Sequence, residues 1–301
     1  MLAHTKCCGT TRAGQRCQMT SASTMVDASG RAVAAPLRRG SPFCLFHARP
    51  FSTRPASVTG PIVVLYLDLE TTGVDVSRDR VVELAASQGQ EAAHLPGASF
   101  AEVVHVPEEI RRTEGAQAAA RVHGIPDDEI AQGTSFPESW ARFLAFTEAC
   151  LNNVISESGD DESEDELPLY PRPPTCPPSL VLAAHNGARF DFAVLLFECH
   201  RHGLRTTPFR HWFFVDTLHV LESARNELGG ACFKLQCLIN ASVDTQELRA
   251  HRALDDCIAL RHVMHSVASR LGCSTTGLLR PFAVQWDEHT SSAQVAALIE
   301  D

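Results

Sequence analysis

No stretch of about 18 apolar residues occurs in this 301-residue sequence, so no membrane-spanning helix of ordinary length is predicted. The first residues also lack the apolar core of a secretory signal. This argues against export and predicts a thiol-reducing, intracellular setting, nucleus or cytoplasm, for eleven cysteines whose odd number does not suggest a disulfide framework. The same N-terminus, poor in acids and containing Arg and Ser, also fits a mitochondrial transit peptide. No internal repeat is present. Basic charge is scarce: 26 Lys and Arg stand against 36 Asp and Glu, a net charge of −10. Taken alone, that deficit argues against a nucleic-acid partner, whose phosphates call for Lys and Arg. What remains is ordinary. With 44% hydrophobic and 21% charged residues, the composition excludes wholesale disorder and fibrous chains, and the length suits one catalytic domain with a small accessory module.

The charge is unevenly spread. Residues 1–60 hold eight basic groups (Lys6, Arg12, Arg16, Arg31, Arg38, Arg39, Arg49, Arg54) and one acid, Asp27, whereas residues 157–166, ESGDDESEDE, hold seven acids and no base. A basic module is therefore expected over 1–50, followed by a Pro/Ser/Thr-rich linker over 51–61. An apolar run, Ile62 to Leu67, then reads as a buried strand, and Arg80–Ser87 and Phe100–Val106 as further strands. Helical spacing of Trp140, Phe143, Leu144, Cys150 and Leu151 predicts a helix over Phe136–Leu151. The acidic and proline-rich stretch 156–179 reads as a disordered surface insertion. Beyond it lie a strand over Leu180–Ala184 and a helix from Asp191 to His202 closed by Gly203. Helical stretches follow over Val215–Ala224, Phe233–Ile239 and Leu254–Leu271, and 273–301 reads as a tail with a short amphipathic helix.

Three acidic motifs interrupt this apolar pattern. In LYLDLETTG, residues 65–73, Asp68 and Glu70 are two apart on a strand and so share one face. Two like charges at the end of a buried strand are costly unless cations neutralise them. In AAHNGARFDF, residues 183–192, a His-Asn-Gly turn follows a buried strand and Asp191 opens the next helix, at the carboxyl end of a strand where α/β sheets bind ligands. In HRALDDCIAL, residues 251–260, His251 precedes a helical pattern that begins with two acids, Asp255 and Asp256, and spacing alone does not choose between them. Carboxylates gathered from a strand and two helix starts suit two Mg²⁺ or Mn²⁺ ions about 4 Å apart, the arrangement that clamps a phosphodiester. A histidine such as His251 can take a proton from water at neutral pH.

DLETTG, HNGARFD and HRALDD, in this order and spacing, resemble the three motifs of the DEDDh (DnaQ-like) 3′→5′ exonucleases over roughly residues 62–272. The texture of HNGARFDFAVLLFECHRHGL is similar to the three-prime repair exonuclease branch. The resemblance implies an α/β, RNase H-like exonuclease fold, with a central mixed five-stranded sheet flanked by helices. It further implies removal of 3′-terminal nucleotides as 5′-monophosphates. It makes Asp68, Glu70, Asp191 and Asp256 the metal ligands, choosing Asp256 over Asp255, and His251 the general base. RVHGIPDDE, residues 121–129, is similar to the family's His-Gly-Ile loop along the terminal nucleotide, and FKLQCL, residues 233–238, to its Lys-Leu helix. By the same resemblance Thr71, Thr72, His123 and Asn186 are substrate contacts. Implied partners are single-stranded 3′ ends and a second copy of the chain. A catalytically inactive nucleic-acid-binding protein on the same fold and a proofreading or RNA-processing subunit are the alternatives.

The N-terminal CCGTTRAGQRC followed by FCLFH resembles a small zinc module of the form C-x-x-x-T-x-x-G-x-x-C…C-x-x-H. That likeness makes Cys7, Cys17, Cys44 and His47 ligands of a structural Zn²⁺, with Cys8 the alternative to Cys7. The basic charge of this module would supply the phosphate attraction that the rest of the chain lacks.

Overall fold

The computed structural model describes residues 25–26, 32–33, 51–55, 58, 60–89, 97–157, 177–229, 232–242 and 252–286. The chain divides into two compact units, Met1–Arg49 and Pro50–Asp301. In the first, Met25–Val26 (β1) pairs antiparallel with Ala32–Val33 (β2). The four zinc-ligand candidates, Cys7, Cys17, Cys44 and His47, lie outside the described residues, as does most of the acidic and proline-rich segment.

The second unit is built on Ile62–Thr71 (β4), which follows Phe51–Pro55 (β3). Val63, Leu65, Leu67 and Leu69 face one side of the sheet, and Val64 and Tyr66 face the other, so β4 is apolar on both faces. On one side it pairs antiparallel with Val81–Gln88 (β5), which pairs antiparallel with Ser99–Val103 (β6). On its other side it runs parallel to Ser179–Ala184 (β7), and β7 parallel to Phe213–Asp216 (β8). Val284–Trp286 (β9) adds antiparallel to β8, and β3 to β9.

The full order is β3-β9-β8-β7-β4-β5-β6, a mixed sheet of seven strands rather than the expected five. The two additions are short strands at one margin of the sheet, β3 at its edge and β9 just inside, drawn from residues that the sequence assigns to the linker and the tail. An edge strand such as β3 pairs through backbone hydrogen bonds that leave no pattern to read, and the three residues of β9 are too few to show an apolar alternation.

Between β6 and β7 come Glu108–Arg111 (α1), Glu114–His123 (α2), Asp127–Ala131 (α3) and Phe136–Glu157 (α4). After β7 come Asp191–Arg201 (α5), Thr217–Ser223 (α6), Leu235–Ser242 (α7), Ala253–Arg270 (α8) and Thr275–Leu279 (α9). Trp140 and Phe143 of α4 and Phe192 and Leu195 of α5 cover the face of Leu65 and Leu67. Leu238 of α7 and Cys257, Leu260 and Met264 of α8 cover the face of Tyr66. One correction bears on the site: Val215 and Asp216 end β8, and only Thr217–Ser223 of the expected Val215–Ala224 helix is helical. Asp216 breaks the helix backwards because its carboxylate caps α6, accepting from the Leu218 amide at 3.0 Å.

Candidate active site

Alternation along β4 decides where the first two acids point. Asp68 and Glu70 continue the even-numbered face begun by Val64 and Tyr66, the face on which α8 packs. Asp256 enters from the first turn of α8, and the carboxylate oxygens of Asp68, Glu70 and Asp256 come within 4.8 Å of one another. Asp191 opens α5, is 3% exposed, and is held by hydrogen bonds from its own backbone and from that of Leu69, the residue between Asp68 and Glu70. Four of the five acids in the three motifs, Asp68, Glu70, Asp191 and Asp256, therefore meet at the carboxyl end of β4.

This crowding is electrostatically unfavourable in the absence of a cation. Burial, and then the charges of Asp191, Asp256, Glu70 and Glu83, hold the Asp68 carboxyl well above the usual range. Burial first, then Asp256, Glu83 and Asp191, push Glu70 up to about 8, against a small opposing effect of Arg252. Asp191 rises to about 7, chiefly through burial, with Asp216 adding to it and the two backbone hydrogen bonds acting against it. Among the described residues no lysine or arginine forms an ion pair with Asp68, Glu70 or Asp191. Hard oxygen donors left this way fit a hard divalent cation such as Mg²⁺ or Mn²⁺.

The turn that presents Asp191 is tightly determined. Asn186 has a φ of 62°, in the left-handed region that asparagine tolerates better than most residues. A Cβ on Gly187 would lie 2.6 Å from the Ala184 Cβ and 2.9 Å from the Phe192 ring, so only glycine fits there. Asp216 then clasps the turn, accepting from the Asn186 amide at 2.9 Å and the Ala188 amide at 3.3 Å. His185 fastens the same strand end to the start of α7 through a 2.8 Å bond from Nε2 to the Phe233 carbonyl. Asp216 and His185 were missed in the sequence; the polar residue closing the apolar FFV run was the signal for Asp216.

The other candidates fall around this centre. The hydroxyls of Thr71 and Thr72 work within the β4–β5 loop: Thr71 Oγ1 donates to the Gly73 carbonyl at 2.6 Å, and Thr72 Oγ1 to Asp79 Oδ1 at 2.9 Å. His123 ends α2, 5% exposed, and its Nδ1 accepts from the Ile125 amide at 3.0 Å, so any proton on the neutral ring sits on Nε2. Burial, more than the opposing charge of Glu83, lowers its proton affinity. Thr72, Val82, His123, Ile125 and Ile130 line a cleft on this side. His251 lies just outside the described residues, immediately before Arg252.

Residues 65–154 match the family model described as Exonuclease (RNase_T), a span that carries Asp68, Glu70 and His123. Exonuclease DPD1, chloroplastic/mitochondrial, of Arabidopsis thaliana is 28% identical over 222 residues, 72% of this chain and 60% of the relative. The nuclease domain of 3′hExo, described as a DEDDh family member bound to rAMP, superposes with a TM-score of 0.50 at 14% identity, covering 71% of this chain and 95% of that one. Exonuclease I of E. coli in complex with a dA16 oligonucleotide gives a TM-score of 0.46 at 17% identity, over 70% of this chain and 41% of that one. The chain thus spans less than two thirds of the Arabidopsis relative and under half of the bacterial enzyme. The likeness to the 3′hExo domain establishes an α/β fold similar to RNase H-like exonucleases.

Proposed function

We propose that the protein is a metal-dependent 3′→5′ exonuclease that removes nucleotides one at a time, as 5′-monophosphates, from single-stranded 3′ ends of DNA or RNA. The observation that carries this reading is the convergence of Asp68, Glu70 and Asp256 within 4.8 Å, beside the buried Asp191. Two divalent cations, when bound, would supply Lewis acidity to the scissile phosphate and to both the attacking and the leaving oxygen. Asp68, Glu70, Asp191 and Asp256 hold them. His251 accepts the proton of the attacking water, a task suited to an imidazole near neutral pH. Thr71, Thr72, His123 and Asn186 hold the terminal nucleotide, and the rAMP bound to the 3′hExo domain is a ligand of that kind.

In the N-terminal unit, Cys7, Cys17, Cys44 and His47 bind a structural zinc, and the basic residues around them draw in nucleic acid. The Arabidopsis relative is named as chloroplastic/mitochondrial, which sets an organellar location beside the nucleus and cytoplasm as a candidate setting. An inactive binding protein on the same fold is disfavoured because all five acting residues are present.

The decisive test is Asp68→Ala assayed with Mn²⁺ on end-labelled oligonucleotides. Wild type should release labelled nucleotide from a 3′ label and leave a ladder shortening toward a 5′ label. The variant should be slower by on the order of a thousandfold, the several kcal/mol that Lewis-acid stabilisation supplies. Release at the wild-type rate would refute the reading.

A further inference from the structure

Glu83 is a fifth acid beside the cluster. It lies directly opposite Glu70 in the β4–β5 register, hence on the same face, and is 2% exposed. Left ionised and alone, it would compete with Asp68 and Glu70 for a cation. Its oxygens are instead committed elsewhere. Arg252 donates to Glu83 Oε1 from Nη2 at 2.6 Å and from Nε at 3.1 Å, and the Ala253 amide donates to Oε2 at 2.9 Å. Ala253 is the first residue of α8, a helix whose own N-cap residue supplies no side-chain cap. Glu83 therefore caps α8 from a neighbouring strand. The Arg252 carbonyl in turn accepts from the Asp256 amide at 3.0 Å. An unbroken run of hydrogen bonds and backbone thus leads from Glu83 through Arg252 to Asp256. Arg252 Nη2 also reaches Glu129 of α3 at 3.4 Å, the helix that follows the His123 loop.

We propose that Glu83 and Arg252 are a positioning pair for metal binding: together they remove a competing carboxylate from the cluster and fix the first turn of α8, and thereby Asp256, over Asp68 and Glu70. Neither residue touches the cation or the substrate. The inference rests on the reading of Asp256 as a metal ligand, so its test must distinguish the two.

Isothermal titration of Mn²⁺ alone into the full-length protein, without nucleic acid, provides that readout. Groups that orient metal ligands typically change affinity by roughly 10- to 100-fold when removed. Glu83→Gln should weaken Mn²⁺ binding by a factor in that range and raise the Mn²⁺ needed for half-maximal nucleotide release by the same factor, with a much smaller change in rate at saturating Mn²⁺. Arg252→Lys keeps the charge but not the planar fork, and should fall between wild type and Glu83→Gln. If Glu83→Gln fails to fold, Arg252→Lys decides by itself. Wild-type Mn²⁺ affinity with only a lower melting temperature would make the pair merely structural and overturn the proposal. Wild-type Mn²⁺ binding by Asp256→Ala would overturn the underlying site reading and the proposal with it.

Discussion

Asp191 and Glu198 lie seven residues apart on α5, are 3% and 1% exposed, and are treated in opposite ways. Glu198 accepts from Arg80 Nε at 2.7 Å, pairs with Arg201, and has His202 Nε2 within 3.3 Å of its second oxygen. Asp191 faces other acids and is relieved only by backbone amides. One end of the helix is anchored by neutralised charge, while the other is left with charge that a cation would complete. A buried carboxylate matched to arginines stabilises only by avoiding the penalty of an unpaired charge, whereas a cluster left unmatched gives up stability for binding. The same contrast recurs on β5, where Glu83 is paired and its cross-strand neighbour Glu70 is not.

Glu198→Ala should produce the largest effect on this contrast, because it strands Arg80 and Arg201 in a partly buried site. A stability loss of about 3–5 kcal/mol by denaturant unfolding is expected, with Mn²⁺ affinity of the folded protein unchanged. A variant that loses metal affinity as strongly as Asp68→Ala would erase the distinction between the two ends of α5.

A smaller effect is expected from Asp216→Ala, which removes the α6 cap and the clasp on the Asn186 turn. Loss of a helix cap costs about 1 kcal/mol, and the freed turn should also lower the rate of nucleotide release. Unchanged release together with the stability loss would confine Asp216 to the anchoring side of the comparison.

The smallest effect is a pH signature of the unmatched cluster. Folded Glu70 keeps its proton to about 8, whereas an unfolded glutamate releases it near 4.5. Between those values the folded state binds more protons, so stability contributed by Glu70 is lost as pH rises. Buried His123 and half-buried His185, whose proton affinities are lowered by desolvation, act in the opposite sense below about 6.5. The clearest window is therefore about pH 7 to 8. Metal-free protein should show a falling melting temperature there, and Mn²⁺ should abolish the fall. Parallel profiles with and without Mn²⁺ would remove the electrostatic argument for the metal site.

Much of the site was legible because its signals are local. Asp68 and Glu70 stand out as charges within an apolar strand, and the Asn186-Gly187 turn and the acid opening α5 announce themselves within six residues. Helix α4 was legible from its spacing, and α8 likewise. The rest was hidden for physical reasons. Val215 belongs to a four-residue strand too short to alternate visibly, and its apolar neighbours blend into the following helix. β3 and β9 are short strands brought together by pairing across most of the chain, β3 forming the sheet's edge.

The sequence by itself determined which residue types were available and in what order: two acids on one strand face, a third at a helix start, a fourth after a histidine. It could not say which acids would be neutralised within the protein and which would be left for a cation. Arg80 and Glu198 are 118 positions apart, and Arg252 and Glu83 are 169 apart. Only the tertiary structure decided those pairings, because the attraction between buried charges depends on separation and burial in space rather than on distance along the chain.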